Sequence, residues 1–221
     1  MERALVIGAS GGIGQAVAAA LRARGVSVEA LSRSQDGLDL TDEASVVRVL
    51  GALGGSFDLI FVASGALEIA GAAPEKTIRS IRAQVMMDQF ALNAVGPALV
   101  LRDAARLLPR DRRCVFAALS ARVGSIGGNR LGGWVSYRAA KAAMNQIIQT
   151  ASIELSRSHR DSICVALHPG TVRTGLTEKY AGGHPSVTAE EAAENLLSVI
   201  EGLAPDQTGR FFDWAGKAVE W

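Results

Sequence analysis

The passage from Arg3 to Gly14 constrains this chain more than any other. Ala4-Leu5-Val6-Ile7 forms an unbroken apolar run that gives way to Gly8-Ala9-Ser10-Gly11-Gly12-Ile13-Gly14. A short continuous apolar run suits a strand buried on both faces. Ile13, Val17 and Leu21 then recur every four residues as one face of a helix, and Gly25 ends it. The passage therefore reads as a strand, a glycine turn and a helix start. Gly8, Gly12 and Gly14 remove Cβ atoms where the chain must turn sharply and where a pyrophosphate would approach backbone N–H groups at the positive end of the helix. That geometry binds dinucleotides, although an ordinary tight strand-to-helix turn uses it too.

The rest of the chain repeats the strand–helix alternation. Val26 to Leu31, Phe57 to Ala63, Arg113 to Leu119, Ser162 to Leu167 and Gly209 to Trp214 read as strands. Helical spacing links Val46, Val47 and Leu50, with Thr41 or Asp42 as the cap, then Tyr137 to Ile148, and then Ala192 to Ile200. A long helix is expected from about Arg79 to Leu108, irregular at Gly96-Pro97. Such alternation predicts a single domain over residues 1–221, with a doubly wound parallel sheet of about seven strands and helices on both faces. Pro169 and Gly170 turn the chain after the fifth strand, at the sheet edge where ligands bind in such folds. Residues from Thr174 to Thr188 form a short polar flap.

Composition narrows the function. The formal net charge is +1 with no basic block, which argues against nucleic acid or an anionic membrane as the main partner. No apolar stretch approaches the roughly 20 residues of a membrane span, and no cleavable signal precedes the first strand, so a cytoplasmic location is expected. Cys114 and Cys164 lie within apolar runs and read as core residues, with no metal site expected.

Several polar residues sit where a nucleotide would be handled. Arg33, just after the second strand, suits a ribose 2′-phosphate and so favours NADP(H) over NAD(H), while Asp36 nearby is an argument for NAD(H). Pro97 has no N–H, which deprives the Asn93 carbonyl of its helical partner and leaves it to seek water. Tyr137 and Lys141 share a helix face. Reduction of a carbonyl develops alkoxide charge and needs a proton, which a phenol with an unperturbed pKa of about 10 delivers poorly near neutrality unless an adjacent cation lowers it.

These features, from Gly8-x-x-x-Gly12-x-Gly14 through Ser120 to Ile126, Gly132-Gly133-Trp134, Ser136-Tyr137-Arg138-Ala139-Ala140-Lys141 and the ending from Phe211 to Trp221, resemble the short-chain dehydrogenase/reductase family. Within it the chain resembles the C-factor-like and small carbonyl reductase branch. The resemblance implies a Rossmann-type fold and an NADP-dependent oxidoreductase interconverting a small carbonyl compound and its alcohol. It implies a catalytic tetrad of Asn93, Ser120, Tyr137 and Lys141, with the Asn93 water linking Lys141 to solvent. It places the cofactor on Gly8, Ser10, Gly12, Ile13, Gly14, Arg33, Asp39, Leu40, Ala63, Ser64, Gly65, Pro169, Gly170, Val172 and Thr174 as well as Tyr137 and Lys141, with the Asp39 carboxylate at the adenine. It further implies a homodimer or homotetramer paired through the helices bearing Asn93 and Tyr137. The chain departs from the pattern twice. Val62-Ala63-Ser64-Gly65 stands where the family usually has Asn-Asn-Ala-Gly, and Ala121 stands where the second Ser of Ser-Ser-x-x-Gly would be catalytic, leaving Ser120 or Ser125 as the hydroxyl. Those departures leave a dinucleotide-binding signalling protein as the alternative.

Overall fold

The computed structural model describes residues 1–175 and 185–221. Leu176, Tyr180 and His184 of the expected flap lie outside the described residues. The first elements are β1 (Arg3–Ile7), α1 (Gly12–Ala23), β2 (Ser27–Leu31), a single-turn α2 (Arg33–Asp36), α3 (Glu43–Gly51) and β3 (Leu59–Val62). They are followed by α4 (Ala83–Phe90), α5 (Gly96–Leu107), β4 (Cys114–Leu119), α6 (Val135–Ser158), β5 (Ser162–His168), α7 (Ala189–Gly202) and β6 (Phe211–Asp213).

All the strands pair in parallel, in the order β2-β1-β3-β4-β5-β6. Among the described residues the sheet has six strands, in keeping with the expected doubly wound parallel sheet of about seven. The chain between Leu31 and Leu59 contains no second apolar strand run, only the cap and apolar face of α3, where Asp42 accepts from the Ala44 N–H. The strand order reverses at β1, whose neighbours are β2 on one side and β3 on the other. A crevice therefore opens between the C-terminal ends of β1 and β3, the switch point at which doubly wound sheets bind ligands.

The two-residue period of the strands divides the core. Leu5, Ile7, Ile60, Val62, Phe116, Ala118, Cys164 and Ala166 face one layer with Val46 and Leu50 of α3, Val100 and Ala104 of α5, and Met144 and Ile148 of α6. Ala4, Val6, Leu59, Phe61, Val115, Ala117, Ile163 and Val165 face the other, against Val17 and Leu21 of α1 and Leu196 and Ile200 of α7. Both cysteines are free and buried, and burial pushes the Cys114 thiol up to about 11. They are core residues.

The long helix differs from the expected one. A single 3₁₀ turn spans Ile78–Ser80, α4 begins at Ala83, and the irregularity is a π turn over Ala91–Val95, just before Gly96-Pro97. Pro97 cannot donate to the Asn93 carbonyl, and the Gly96 N–H reaches back five residues to Ala91. Gly96 is also where the helix meets the neighbouring loop. A Cβ there would lie 2.8 Å from the Leu40 Cβ and 3.1 Å from the Leu40 carbonyl oxygen.

Candidate active site

The crevice at the switch point is a cavity of about 410 Å³ bordered by Gly8, Ser10, Arg33, Asp39, Leu40 and the run from Ala63 to Gly65. Its glycine turn is required by close backbone packing. Gly8 has φ +84°, and a Cβ on it would lie 2.9 Å from the Ala63 carbonyl carbon and the Ser64 nitrogen; a Cβ on Gly14 would lie 2.3 Å from the Gly8 carbonyl oxygen. No side chain caps α1. Its first N–H groups, on Gly12, Ile13 and Gly14, therefore lack a side-chain acceptor at the helix's positive end, where an anion is the most favourable partner. Thr174, from the loop after β5, lies over this turn, with its Cγ2 2.9 Å from where a Gly12 Cβ would be. The same loop contains Pro169, Gly170 at φ +80° beside Trp214, and buried Val172, which bridges to Val187.

At the outer end of the crevice the two candidate ribose contacts separate. The Asp36 carboxylate turns back to accept from the Ser32 N–H at 2.7 Å and the Ser32 hydroxyl at 3.3 Å. Arg33 borders the cavity. Asp39 accepts from the Thr41 hydroxyl at 2.7 Å and the Thr41 N–H at 2.9 Å; these bonds hold its carboxyl below the usual range, and nearby Arg33 adds to the effect. At the inner end, the Ser64 Oγ is buried without a hydrogen-bond partner. An orphaned hydroxyl beside an uncapped helix N-terminus and a backbone-lined glycine turn fits a polar, phosphate-bearing dinucleotide. Among the described residues no group of His, Cys, Asp and Glu could hold a metal ion.

Asn93, Gly65 and Lys141 converge beyond this point. A Cβ on Gly65 would lie 2.9 Å from the Asn93 Oδ1 and 3.3 Å from the Lys141 Nζ, so the glycine leaves space where both side chains meet the β3 loop. The Asn93 Nδ2 donates to the Ala66 carbonyl at 3.0 Å and to the Gln89 Oε1 at 2.8 Å, and its Oδ1 accepts from the Ala66 N–H at 3.3 Å. Gln89 in turn donates to the Leu67 carbonyl at 2.8 Å. The sequence reading missed Gln89, although its position one turn before Asn93 places it on the same helix face.

Tyr137, in the first turn of α6, and Lys141 are both buried. The Lys141 Nζ lies 5.8 Å from the centre of the Tyr137 ring and donates to the Leu119 carbonyl at 2.9 Å. Burial dominates both groups in the chain by itself, pushing the phenol up to about 12 and the ammonium down to about 8. The expected lowering of the phenol by Lys141 is therefore not a property of the chain alone. Desolvation disfavours each charged form.

Ser120 is buried just past the end of β4. Its hydroxyl donates to the Asn145 Oδ1 at 2.7 Å, and the Asn145 Nδ2 donates on to the Gly124 carbonyl at 3.4 Å. In this arrangement the Ser120 proton is given to Asn145. The cause is strand alternation: Ala118 packs with the α5 and α6 layer and Leu119 with the α1 and α7 layer, so Ser120 turns back toward α6. The Ser125 Oγ accepts from the Gly128 N–H at 2.9 Å, and that residue is buried. Ala121 separates Ser120 from the 3₁₀ turn at Arg122–Gly124.

The described helices include none long and apolar enough to cross a membrane. The family model for short chain dehydrogenase matches residues 37–183. Over its whole length the chain is 30% identical to a 1-hydroxy-2-glutathionyl-2-methyl-3-butene dehydrogenase of Rhodococcus, covering 100% of that protein. It is 35% identical to C-signal of Myxococcus xanthus over 139 residues, 62% of this chain and 78% of the other. The fold superposes on an NADPH-bound carbonyl reductase from chicken fatty liver with a TM-score of 0.83 at 24% identity, covering 100% of this chain and 94% of that one. The chain belongs to the short-chain dehydrogenase/reductase family and is an NAD(P)-dependent oxidoreductase.

Proposed function

We propose that the chain is an NADP(H)-preferring reductase of small carbonyl compounds, with Tyr137 as proton donor. The observation that carries this reading is the convergence of Asn93, Lys141 and the β3 loop at Gly65, next to Tyr137 and at the inner end of the dinucleotide crevice. The bound nicotinamide supplies the hydride. Gly8, Gly12, Ile13 and Gly14 hold its pyrophosphate on the α1 N-terminus, with Ser10 at the mouth of the turn and Pro169, Gly170, Val172 and Thr174 covering it. Asp39 and Leu40 flank the adenine, while Ala63, Ser64 and Gly65 line the inner wall. The Tyr137 hydroxyl delivers its proton to the oxygen of the substrate carbonyl. Lys141 stabilises the phenolate that remains and donates to the ribose, and Asn93 links Lys141 to solvent through water at its main-chain carbonyl. Ser120 braces this end of the sheet through Asn145. A panel of aldehydes, ketones and quinones assayed for NADPH consumption tests the reading. Reduction of at least one is expected, and cofactor binding without any reduction would overturn it.

A second reading has its own support. Ala121 stands where a substrate-polarising hydroxyl is usual, Ser120 is engaged elsewhere, and one relative is named C-signal, so a dinucleotide-binding signalling protein is the alternative. The same panel separates the two.

Arg33 carries the cofactor preference. A guanidinium bonded to a 2′-phosphate contributes roughly 1.5 to 3 kcal/mol, so NADPH should bind about ten- to a hundred-fold more tightly than NADH, and Arg33→Ala should remove most of that difference. Fluorescence titration with both nucleotides measures it, and equal affinities in the unmodified protein would contradict it. We also expect a homodimer or homotetramer. Met87, Val95 and Ile153 are exposed on the helical layer that holds Asn93 and Tyr137, and a groove of about 470 Å³ runs between α5 and α6. Light scattering at micromolar concentration should give twice or four times the 23.1 kDa chain mass, and a monomer would refute the pairing. A cytoplasmic location completes the proposal.

A further inference from the structure

Helix α6 begins without a cap of its own. The residue before it, Trp134, sits in the left-handed region at φ +52° and makes no side-chain capping bond. The first turn of any helix leaves N–H groups that need acceptors, and a negative charge is the most favourable partner there. Here the acceptor comes from the loop between β3 and α4. The Glu75 carboxylate accepts from the Ser136 hydroxyl, and its other oxygen accepts from the Ser136 N–H at 3.3 Å. The main-chain carbonyl of Glu75 accepts from the Trp134 N–H at 2.6 Å. One buried residue thus grips both sides of the step at Val135, and the next residue along the helix is Tyr137. The Trp134 ring meets the Tyr137 ring edge-on, with centroids 6.5 Å apart, so Glu75 also restrains the ring that packs on the phenol. Burial alone would raise the Glu75 carboxyl, but the bonds from Ser136, with a smaller contribution from Arg82, outweigh it and hold the group below the usual carboxylate range. It is therefore a carboxylate near neutral pH.

We propose that Glu75 is a positioning residue for Tyr137: through Ser136 and Trp134 it fixes the first turn of α6 so that the phenol is held in place for proton delivery. This rests on the reading of Tyr137 as proton donor. A misplacement of about an ångström can cost a hundred-fold in rate. Glu75→Ala should therefore lower kcat roughly ten- to a hundred-fold while leaving KM and NADPH affinity unchanged, because Glu75 lies outside the cofactor crevice. Glu75→Gln, which keeps an acceptor oxygen but loses the charge, should recover part of the loss. Ser136→Ala should lower kcat too, and the Glu75→Ala/Ser136→Ala pair should lose less than the product of the two single losses, since both act through one contact. Multiplicative losses, an unchanged kcat in Glu75→Ala, or a loss confined to KM would overturn the proposal.

A second measurement needs no turnover. In a Tyr180→Phe background, Tyr137 is the sole tyrosine, and its ionisation can be followed by ultraviolet absorbance. Loosening the first turn admits water to the phenol, so Glu75→Ala and Glu75→Gln should move the midpoint down from about 12. Should the unmodified protein reduce no carbonyl, the reductase reading fails while this titration still judges the role of Glu75. An unmoved midpoint in both variants would show that Glu75 does not hold Tyr137.

Discussion

Replacing Tyr137 by Phe is expected to abolish carbonyl reduction while leaving the fold and NADPH binding nearly unchanged. Phe keeps the ring that packs edge-on against Trp134 and lacks only the hydroxyl. Among the described residues nothing hydrogen-bonds to that hydroxyl. Its removal leaves no buried partner unsatisfied, so stability should change by less than about 1 kcal/mol. Loss of the proton donor should lower kcat by roughly a hundred- to ten-thousand-fold. Steady-state kinetics beside a nucleotide titration and a thermal melt measure all three. Most of the rate surviving in Tyr137→Phe would mean that another group supplies the proton.

Lys141 is the second residue on which activity should depend strongly, and it carries the pH dependence. It is buried, and its ammonium is pushed down to about 8, so the charge is present below that pH and lost as pH rises through it. The phenol stays protonated up to about 12 and does not limit reduction over the same range. The reduction rate should therefore be level below about pH 8 and fall above it. Lys141→Met keeps most of the side-chain volume and removes the charge. It should lower kcat at least about a hundred-fold, as removal of one preorganised donor does, and it should weaken NADPH binding through loss of the ribose contact. Its melting temperature should change little, because relief from burying an ammonium is offset by loss of its bond to the Leu119 carbonyl. A rate that keeps rising above pH 8, or a Lys141→Met enzyme with full activity, would contradict the assignment.

The parts of the site that depend on local backbone geometry were legible in the sequence. Gly8 and Gly14 could be read because a Cβ at either collides with nearby backbone, and the buried strands because unbroken apolar runs fit a sheet covered on both faces. Pro97 announced a broken helical bond, but its effect was spread backward over Ala91–Val95 as a π turn, and local rules do not say where a helix absorbs such a defect. The choice between Ser120 and Ser125 was not legible, because it depends on which way each hydroxyl turns: Ser120 Oγ is bonded to Asn145 of α6 and Ser125 Oγ to the Gly128 N–H. Glu75 was missed altogether. It sits in an aperiodic loop 61 residues from Ser136, and only the tertiary fold brings the two together. The shifts at Tyr137 and Lys141 were out of reach for the same reason, since burial of both is set by elements distant in the chain.

Isotope transfer tests the central claim most directly. The unmodified protein and Tyr137→Phe would each be incubated with NADPH carrying deuterium at the transferable position and a carbonyl compound from the panel, and the alcohol analysed by mass spectrometry. The account predicts one deuterium per alcohol formed by the unmodified protein, and deuterated product formed at least about a hundred-fold more slowly by Tyr137→Phe at the same nucleotide occupancy. Equal deuterated product from both proteins, or none from the unmodified protein across the whole panel despite bound NADPH, would contradict it.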